Sequence, residues 1–155
     1  MEQTQYIEIA STAINNIKAT FPNLATIDDL DNKNVDLSVN IPRQAHLDFD
    51  INLNLQTDEL FISTEYFWGS WFSIKDSEVV DLYLEAVKGL ITGDYRIVQY
   101  WNNNKLYKSH LQKPVGQTWE TVYTAREKTI FPWTKLTEKV IRNKSYSVTK
   151  QIFSA

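Results

Sequence analysis

The polar residues with the clearest capacity for chemistry occupy alternate positions near the middle of the first half. They are His46, Asp48, Asp50, Asn52 and Asn54. An imidazole and two carboxylates in one phase could bind a metal ion or act as an acid–base pair. Alternate side chains of a strand, however, lie about 6.5–7 Å apart, too far for both carboxylates to bind one ion. The spacing therefore predicts a solvent-facing strand surface, and we assign no metal and no cofactor.

Recognised catalytic signatures do not occur elsewhere in the sequence. It contains no glycine-rich phosphate loop, no G-x-S-x-G, no H-E-x-x-H and no cysteine, which removes the common nucleophiles and metal sites. With two histidines in 155 residues, a histidine-dependent mechanism has few options. We therefore name no catalytic residue and expect a binding protein rather than an enzyme.

Composition also bears on cellular location. A chain without cysteine forms no disulfides, which is compatible with a reducing cytoplasm. No segment approaches the ~20 consecutive apolar residues that a membrane span requires, and the N-terminal residues lack the pattern of a secretion signal. We expect a cytoplasmic protein with no membrane interaction.

Five aromatic side chains fall within the ten residues 65–74, EYFWGSWFSI. If one strand runs through this segment, Tyr66 and Trp68 share the phase of the apolar residues before them and belong to the core. Phe67 and Trp71 then have the opposite phase. Either a helix covers these two rings, or they form an exposed patch that contacts a partner.

Charge is distributed unevenly along the chain. Residues 1–94 hold 16 Asp and Glu against 5 Lys and Arg, a net charge of −11, and residues 95–155 hold 3 against 11, a net charge of +8. The two halves either pair internally or form two binding faces. The basic half interleaves Lys and Arg with Tyr and Trp. On a sheet, such residues could bind single-stranded nucleic acid through phosphate contacts and base stacking. The basic half contains no RNP, KH or zinc-knuckle motif, so nucleic acid is the less favoured partner.

Hydrophobic periodicity predicts the elements of the first half. Apolar residues at helical spacing predict a helix over residues 3–20. An acidic loop over 23–34 follows. Alternating apolar and polar residues then predict strands over 35–41, 47–55 and 60–68, joined by short turns as in an antiparallel meander.

The second half follows a similar order. Asp76 or Ser77 can cap a helix that Gly93 ends. Strands are predicted over 95–101, 106–112 and 118–125, with one or two more in 135–143 and 146–153. The order α-βββ-α-βββ plus one or two C-terminal strands predicts a single α+β domain over residues 1–155, with two helices packed on one face of an antiparallel meander sheet.

These observations favour a small protein-binding protein, since acidic faces attract and hold basic partners. The best hypothesis is an inhibitor or immunity-type protein that neutralises a basic toxin or effector. The predicted partner-binding residues are Asp28, Asp29, Asp31, His46, Asp48, Asp50, Phe67 and Trp71. A small-ligand pocket lined by Trp and Tyr and a nucleic-acid-binding sheet in the basic half stay open as alternatives, as does a homodimer.

Overall fold

A computed structural model describes residues 2–128 and 131–144 of the protein. Two helices and nine strands occur in these ranges. The helices are α1 (Gln3–Thr20) and α2 (Ser77–Thr92). The strands are β1 (Ile27–Asp28), β2 (Leu37–Ile41), β3 (Ile51–Gln56), β4 (Glu59–Ser63), β5 (Trp68–Phe72), β6 (Arg96–Asn102), β7 (Lys105–Val115), β8 (Thr118–Arg126) and β9 (Thr137–Ile141). Neither helix is long and apolar enough to cross a membrane.

The strands form two antiparallel sheets. The first is a meander of order β1-β2-β3-β4-β5, and the second has the order β8-β7-β6-β9. The predicted α+β class is confirmed. The first sheet has five strands instead of three, because the acidic segment contributes the short β1 and the strand predicted over 60–68 is two strands. In the second sheet β9 lies within the strand predicted over 135–143, and the strand predicted over 146–153 lies outside the described residues.

Both helices pack on the apolar face of the first sheet, and one core cluster takes buried residues from both helices and both sheets. The buried residues of α1 are those of the predicted stripe, Tyr6, Ala10, Ala13, Ile14 and Ile17. The α2 helix begins after Asp76, whose carboxylate accepts the backbone N–H of Glu78 at 2.9 Å. It ends at Gly93 in the left-handed conformation, with φ of 79°. Both predicted caps of α2 are therefore confirmed.

The predicted strand over 60–68 is divided by a chain reversal at residues 64–67. The Thr64 N–H donates to the Phe67 carbonyl at 2.8 Å, and the Thr64 hydroxyl accepts the N–H groups of Tyr66 and Phe67, each at 3.0 Å. Ser63 therefore pairs directly with Trp68 across a hairpin. Because paired residues share a face, the phase after the turn differs from that of a continuous strand.

The hairpin reverses the predicted burial of two aromatic residues. Phe67 is 3% exposed and belongs to the core, whereas Trp68 is 45% exposed. The prediction that Trp68 is core is wrong, and so is the prediction that Phe67 faces a partner. Tyr66 is partly buried against the core cluster, where its ring meets the edge of Phe49 at a centroid distance of 5.5 Å.

Gly89 marks the closest packing of α2. A Cβ at this position would lie 2.1 Å from Cδ1 and 2.4 Å from Cγ of Tyr95. We expect Gly89→Ala to lower the free energy of unfolding by about 1–3 kcal/mol through overpacking, although helix propensity alone favours Ala by about 1 kcal/mol. Urea denaturation measures this difference.

A matched control makes the Gly89→Ala substitution in a protein that lacks the Tyr95 ring. In a Tyr95→Ala background, Gly89→Ala should be neutral or stabilising, because the helix preference for Ala then acts alone. A gain in stability for Gly89→Ala in the wild-type background would contradict the packing described.

Candidate functional site

The predicted polar strand face is only partly a strand. Gln44 and Leu47 form an isolated antiparallel bridge, and His46, in the turn between them, has a φ of 70°. Since β3 begins at Ile51, His46 does not share a face with the two aspartates, and the prediction that all five polar residues lie in phase is wrong. Among the described residues, no group of three His, Cys, Asp or Glu side chains could hold a metal ion.

Asp48 and Asp50 are exposed in the loop before β3 and are held there by local hydrogen bonds. The Asp50 carboxylate accepts the backbone N–H of Arg43 at 2.6 Å. The backbone N–H of Asp48 donates to the side-chain oxygen of Asn143 at 2.7 Å. Both carboxylates therefore sit on a loop that is tied to neighbouring chain segments, open to a partner.

The two predicted acidic groups lie on opposite sides of β2. Asp28 pairs with Val39, and the Asp29 N–H donates to the Ser38 carbonyl, so these residues lie beside β2 on its β1 side. The loop with Asp48 and Asp50 leads into β3, on the other side of β2. The structure therefore does not bring the predicted acidic residues into one site.

The outer face of the first sheet carries a row of neutral amides. The Gln56 amide donates to Asn54 at 3.2 Å, Asn54 donates to Asn52 at 3.1 Å, and Asn52 donates to the Ser38 hydroxyl at 3.3 Å. Asn52 and Asn54 thus face away from the core, as predicted. Because the amides satisfy one another, this part of the face is polar without being acidic.

Trp71 links the two sheets instead of facing solvent. Its half-buried ring lies 5.1 Å from that of Tyr123 in β8 and 5.6 Å from that of Tyr83 in α2, measured between ring centroids. Phe67 meets the same Tyr123 ring edge-on at 5.6 Å. Of the aromatic stretch, Trp68 and Phe72 are the exposed rings, at 45% and 67%.

Carboxylates concentrate around α1, on a surface that the sequence indicated only at one edge. One groove, of 380 Å³, lies between α1 and the segment around β1 and β2, and a second, of 440 Å³, lies between α1 and α2. Among the described residues, the acidic residues that line them are Glu8, Asp28, Asp29, Asp36 and Asp81, and the basic residue is Lys18. Both grooves also have apolar residues in their walls. We call this region the α1 acidic surface.

A leucine projects from the edge of the α1 acidic surface. Leu30 is 90% exposed between Asp29 and Asp31. The loop is held at its base, where the Asp29 N–H donates to the Ser38 carbonyl at 2.9 Å, and the Asp29 carboxylate accepts the N–H of Asp31 at 3.3 Å. An apolar side chain between two carboxylates suits contact with a partner that is both basic and apolar.

The outer face of the second sheet is basic and aromatic. Strand register places Tyr100, Lys108 and Arg126 side by side, and Arg96 beside Gln112. We call this surface the basic outer face and define it by Arg96, Tyr100, Lys108, His110, Trp119, Arg126 and Arg142. Val98, at its centre, is 1% exposed and lies outside the core cluster.

Among the described residues, no Lys or Arg of the basic half forms an ion pair with a carboxylate of the acidic half. In the described ranges, the basic side chains in ion pairs are Lys18, with Asp28, and Arg43, with Glu65, each at 3.3 Å. Both pairs lie within the acidic half. The described ion pairs therefore do not link the acidic half to the basic half.

The surroundings of His110 on the basic outer face lower its pKa. Burial, followed by the charges of Lys108 and Arg126, lowers the pKa of His110 below its ordinary value. The imidazole Nδ1 lies 3.4 Å from the Thr121 hydroxyl, and its ring meets that of Tyr100 edge-on at 4.9 Å. Burial is the largest cause of this lower pKa, the two cations act in the same direction, and the Glu138 charge opposes them.

The structure also locates cavities relevant to the small-ligand alternative. A third groove, of 500 Å³, is lined by Arg43, Asp50 and Glu65. Among the described residues, no Trp or Tyr lines any of these three grooves, whereas the alternative was an aromatic-lined pocket between sheet and helices. That space is filled by core residues, among them the fully buried Tyr83, whose hydroxyl donates to the Phe61 carbonyl at 2.9 Å.

No protein-family model, no curated protein and no solved structure matches the chain.

Proposed function

We propose that the protein binds a basic protein partner through the α1 acidic surface. The observation that carries this proposal is the pair of grooves flanking α1, lined by five carboxylates and one lysine. Lys18 already pairs with Asp28, and no described Lys or Arg forms an ion pair with the remaining carboxylates of the two grooves. Such a surface steers a cationic partner and holds it in register.

The apolar residues of the same surface supply the buried contacts that charge alone does not provide. Rim charges act mainly on the association rate, and affinity comes chiefly from buried apolar anchors. Leu30 at the loop tip, which is 90% exposed, is available for burial. Ile9, Val80 and Leu84 line the groove between the helices. A basic segment with apolar side chains fits both properties.

The finer proposal is that binding neutralises the partner, as an inhibitor or immunity-type protein does. A toxin or effector that acts on nucleic acid carries a basic surface to bind phosphate. Covering that surface with carboxylates would prevent the partner from binding its nucleic-acid substrate. Co-expression with the identified partner tests this step. The wild-type protein should relieve growth inhibition by the partner, and a variant with Asp29→Lys and Asp31→Lys should not.

The test of binding uses two matched double charge reversals. The loop variant is Asp29→Lys with Asp31→Lys, on the α1 acidic surface, and the control variant is Asp48→Lys with Asp50→Lys, on the other side of β2. Both change the net charge equally at exposed positions, and each removes one carboxylate that accepts a backbone N–H, so thermal melting checks that both variants fold. Immobilised wild type should retain a basic protein from a lysate of its host, and purified partner is then titrated against each variant.

We expect the loop variant to bind the partner at least about tenfold more weakly, with the largest loss at low salt because exposed charges are screened. The control variant should bind within about twofold of wild type. Retention of no basic protein would contradict the proposed function. Loss of binding in the control variant alone would move the interface to the loop before β3 and contradict the assignment to the α1 acidic surface.

A further inference from the structure

The basic outer face carries four cationic side chains without an anionic partner. Arg96, Lys108, Arg126 and Arg142 form no ion pair with any carboxylate in the described ranges. The acidic residue placed beside them by strand register is Glu138, opposite Tyr100. Four charges held on one sheet face without neutralisation leave a strong local positive potential in a protein whose net charge is −3.

Three of the four cations lie over aromatic rings, at two ends of the face. At one end, the guanidinium groups of Arg96 and Arg142 lie 4.1 Å and 5.4 Å from the ring centroid of Trp119. At the other end, the Lys108 ammonium lies 4.9 Å from the ring centroid of Tyr100, with Arg126 beside it in register. Each end thus combines a ring with two positive charges.

The separation of the two ends suits a chain of repeating anions. Arg96 and Tyr100 are four residues apart on β6, which corresponds to about 13 Å along a strand. Between them lie the neutral side chains of Val98 and Thr124 and the His110 ring, which register places in one row. A flexible strand that crosses this row would meet cations at both ends and a ring near each.

Hydrogen bonds hold the Arg96–Trp119 end in place before a ligand arrives. The Arg96 Nε donates to the Gln112 side-chain oxygen at 2.9 Å, and the Arg142 Nε donates to the Gly93 carbonyl. These bonds use one nitrogen of each guanidinium and leave the terminal nitrogens for phosphate oxygens. A guanidinium stacked on a ring also offers its outer plane to a nucleobase.

We propose that the basic outer face binds single-stranded nucleic acid, with phosphates on the four cations and bases stacked at the Tyr100 and Trp119 ends. A phosphodiester strand with unpaired bases supplies both anions and π-faces, which the face can contact at once. A duplex keeps its bases paired and stacked, and the described part of this face has no helix or loop that would enter a groove. An acidic peptide would match the charge but would leave the rings unused.

Fluorescence anisotropy with labelled twelve-nucleotide oligo(dT) and oligo(U) tests the proposal. At low salt we expect saturable binding of at least one of the two, and their relative affinities separate a DNA from an RNA preference. Four phosphate contacts on a single strand predict a slope of log K against log salt of about −3. A twelve-base-pair DNA duplex should bind at least about tenfold more weakly than the preferred strand.

Two variants on β7 give the matched comparison. Lys108→Glu changes the basic outer face, whereas Lys113→Glu makes the same charge change on the same strand at a position of opposite phase, paired with Glu120. Lys108→Glu should weaken binding about tenfold or more and reduce the salt slope by about 1. Lys113→Glu should bind within about twofold of wild type, and thermal melting checks that both variants fold.

Base stacking is tested separately with Tyr100→Ala. Loss of a stacking ring should weaken binding about tenfold while the salt slope stays unchanged, because no phosphate contact is removed. No binding of either oligonucleotide at low salt would overturn the proposal. Equal binding of strand and duplex, or equal losses in Lys108→Glu and Lys113→Glu, would overturn it as well, since each shows attraction without the contacts assigned to this face.

Discussion

Phe67→Ala is expected to lower the free energy of unfolding by about 3–5 kcal/mol, the range for truncating a buried aromatic side chain. The Phe67 ring is 3% exposed and meets the Tyr123 ring edge-on at 5.6 Å. It also lies over Gly69, where a Cβ would come within 3.0 Å of its Cζ. Removing the ring would open a cavity where β5 meets the second sheet.

Trp68→Ala is the matched control, one residue further along the chain. Its side chain is larger but 45% exposed, so truncation removes less buried surface, and we expect a loss of about 1 kcal/mol. Urea denaturation of the wild type and the two variants gives the order directly. A larger loss for Trp68→Ala than for Phe67→Ala would restore a continuous strand over residues 60–68 and contradict the hairpin.

The elements predicted correctly are those specified by local periodicity. The apolar stripe of α1 and the alternation of β3 each record which face is buried, and the structure buries those faces. Capping is equally local, so Asp76 and Gly93 identified the ends of α2. Such local patterns are enough to predict the α+β class, because they do not depend on which elements become neighbours in the fold.

Irregularities that reset the alternation were not predictable from periodicity. The hairpin at residues 64–67 depends on the Thr64 hydroxyl, and threonine is equally common within strands. In β8, the register shift opposite Leu111 and Gln112 leaves Val122 unpaired, so Tyr123 faces the core whereas Thr121 faces outward. A pattern of strict alternation places these two residues on one face, because a bulge inserts one residue without a sequence signal.

The sequence predicted which parts of the chain are acidic or basic, but it did not predict how the fold groups these charged side chains. The sequence indicates an acidic and a basic half, but the acidic grooves exist only because α1 packs between α2 and the β1–β2 segment. The basic outer face likewise depends on cross-strand register, which brings Lys108 beside Tyr100 and Arg126. Register is a tertiary property, so the clusters emerge only from the fold.

Asn143 ties the two halves of the chain together through one buried amide. It is 3% exposed; its nitrogen donates to the Leu90 carbonyl at 2.9 Å, and its oxygen accepts the Asp48 N–H at 2.7 Å. The Leu90 carbonyl is among the last four of α2, which have no partner within the helix. The amide thus caps α2 and anchors the loop before β3 at the same time.

Asn143→Ala should therefore lower the free energy of unfolding by about 2–3 kcal/mol, because each buried polar group left without a partner costs about 1–3 kcal/mol. Lys144→Ala, at the exposed neighbouring position, should change it by about 0.5 kcal/mol or less. Hydrogen exchange adds a residue-specific readout. In Asn143→Ala the Asp48 amide should exchange faster than the change in global stability accounts for, since its acceptor is gone. An unchanged exchange rate at Asp48, or equal melting temperatures for the two variants, would show that the amide does not bridge α2 and the loop.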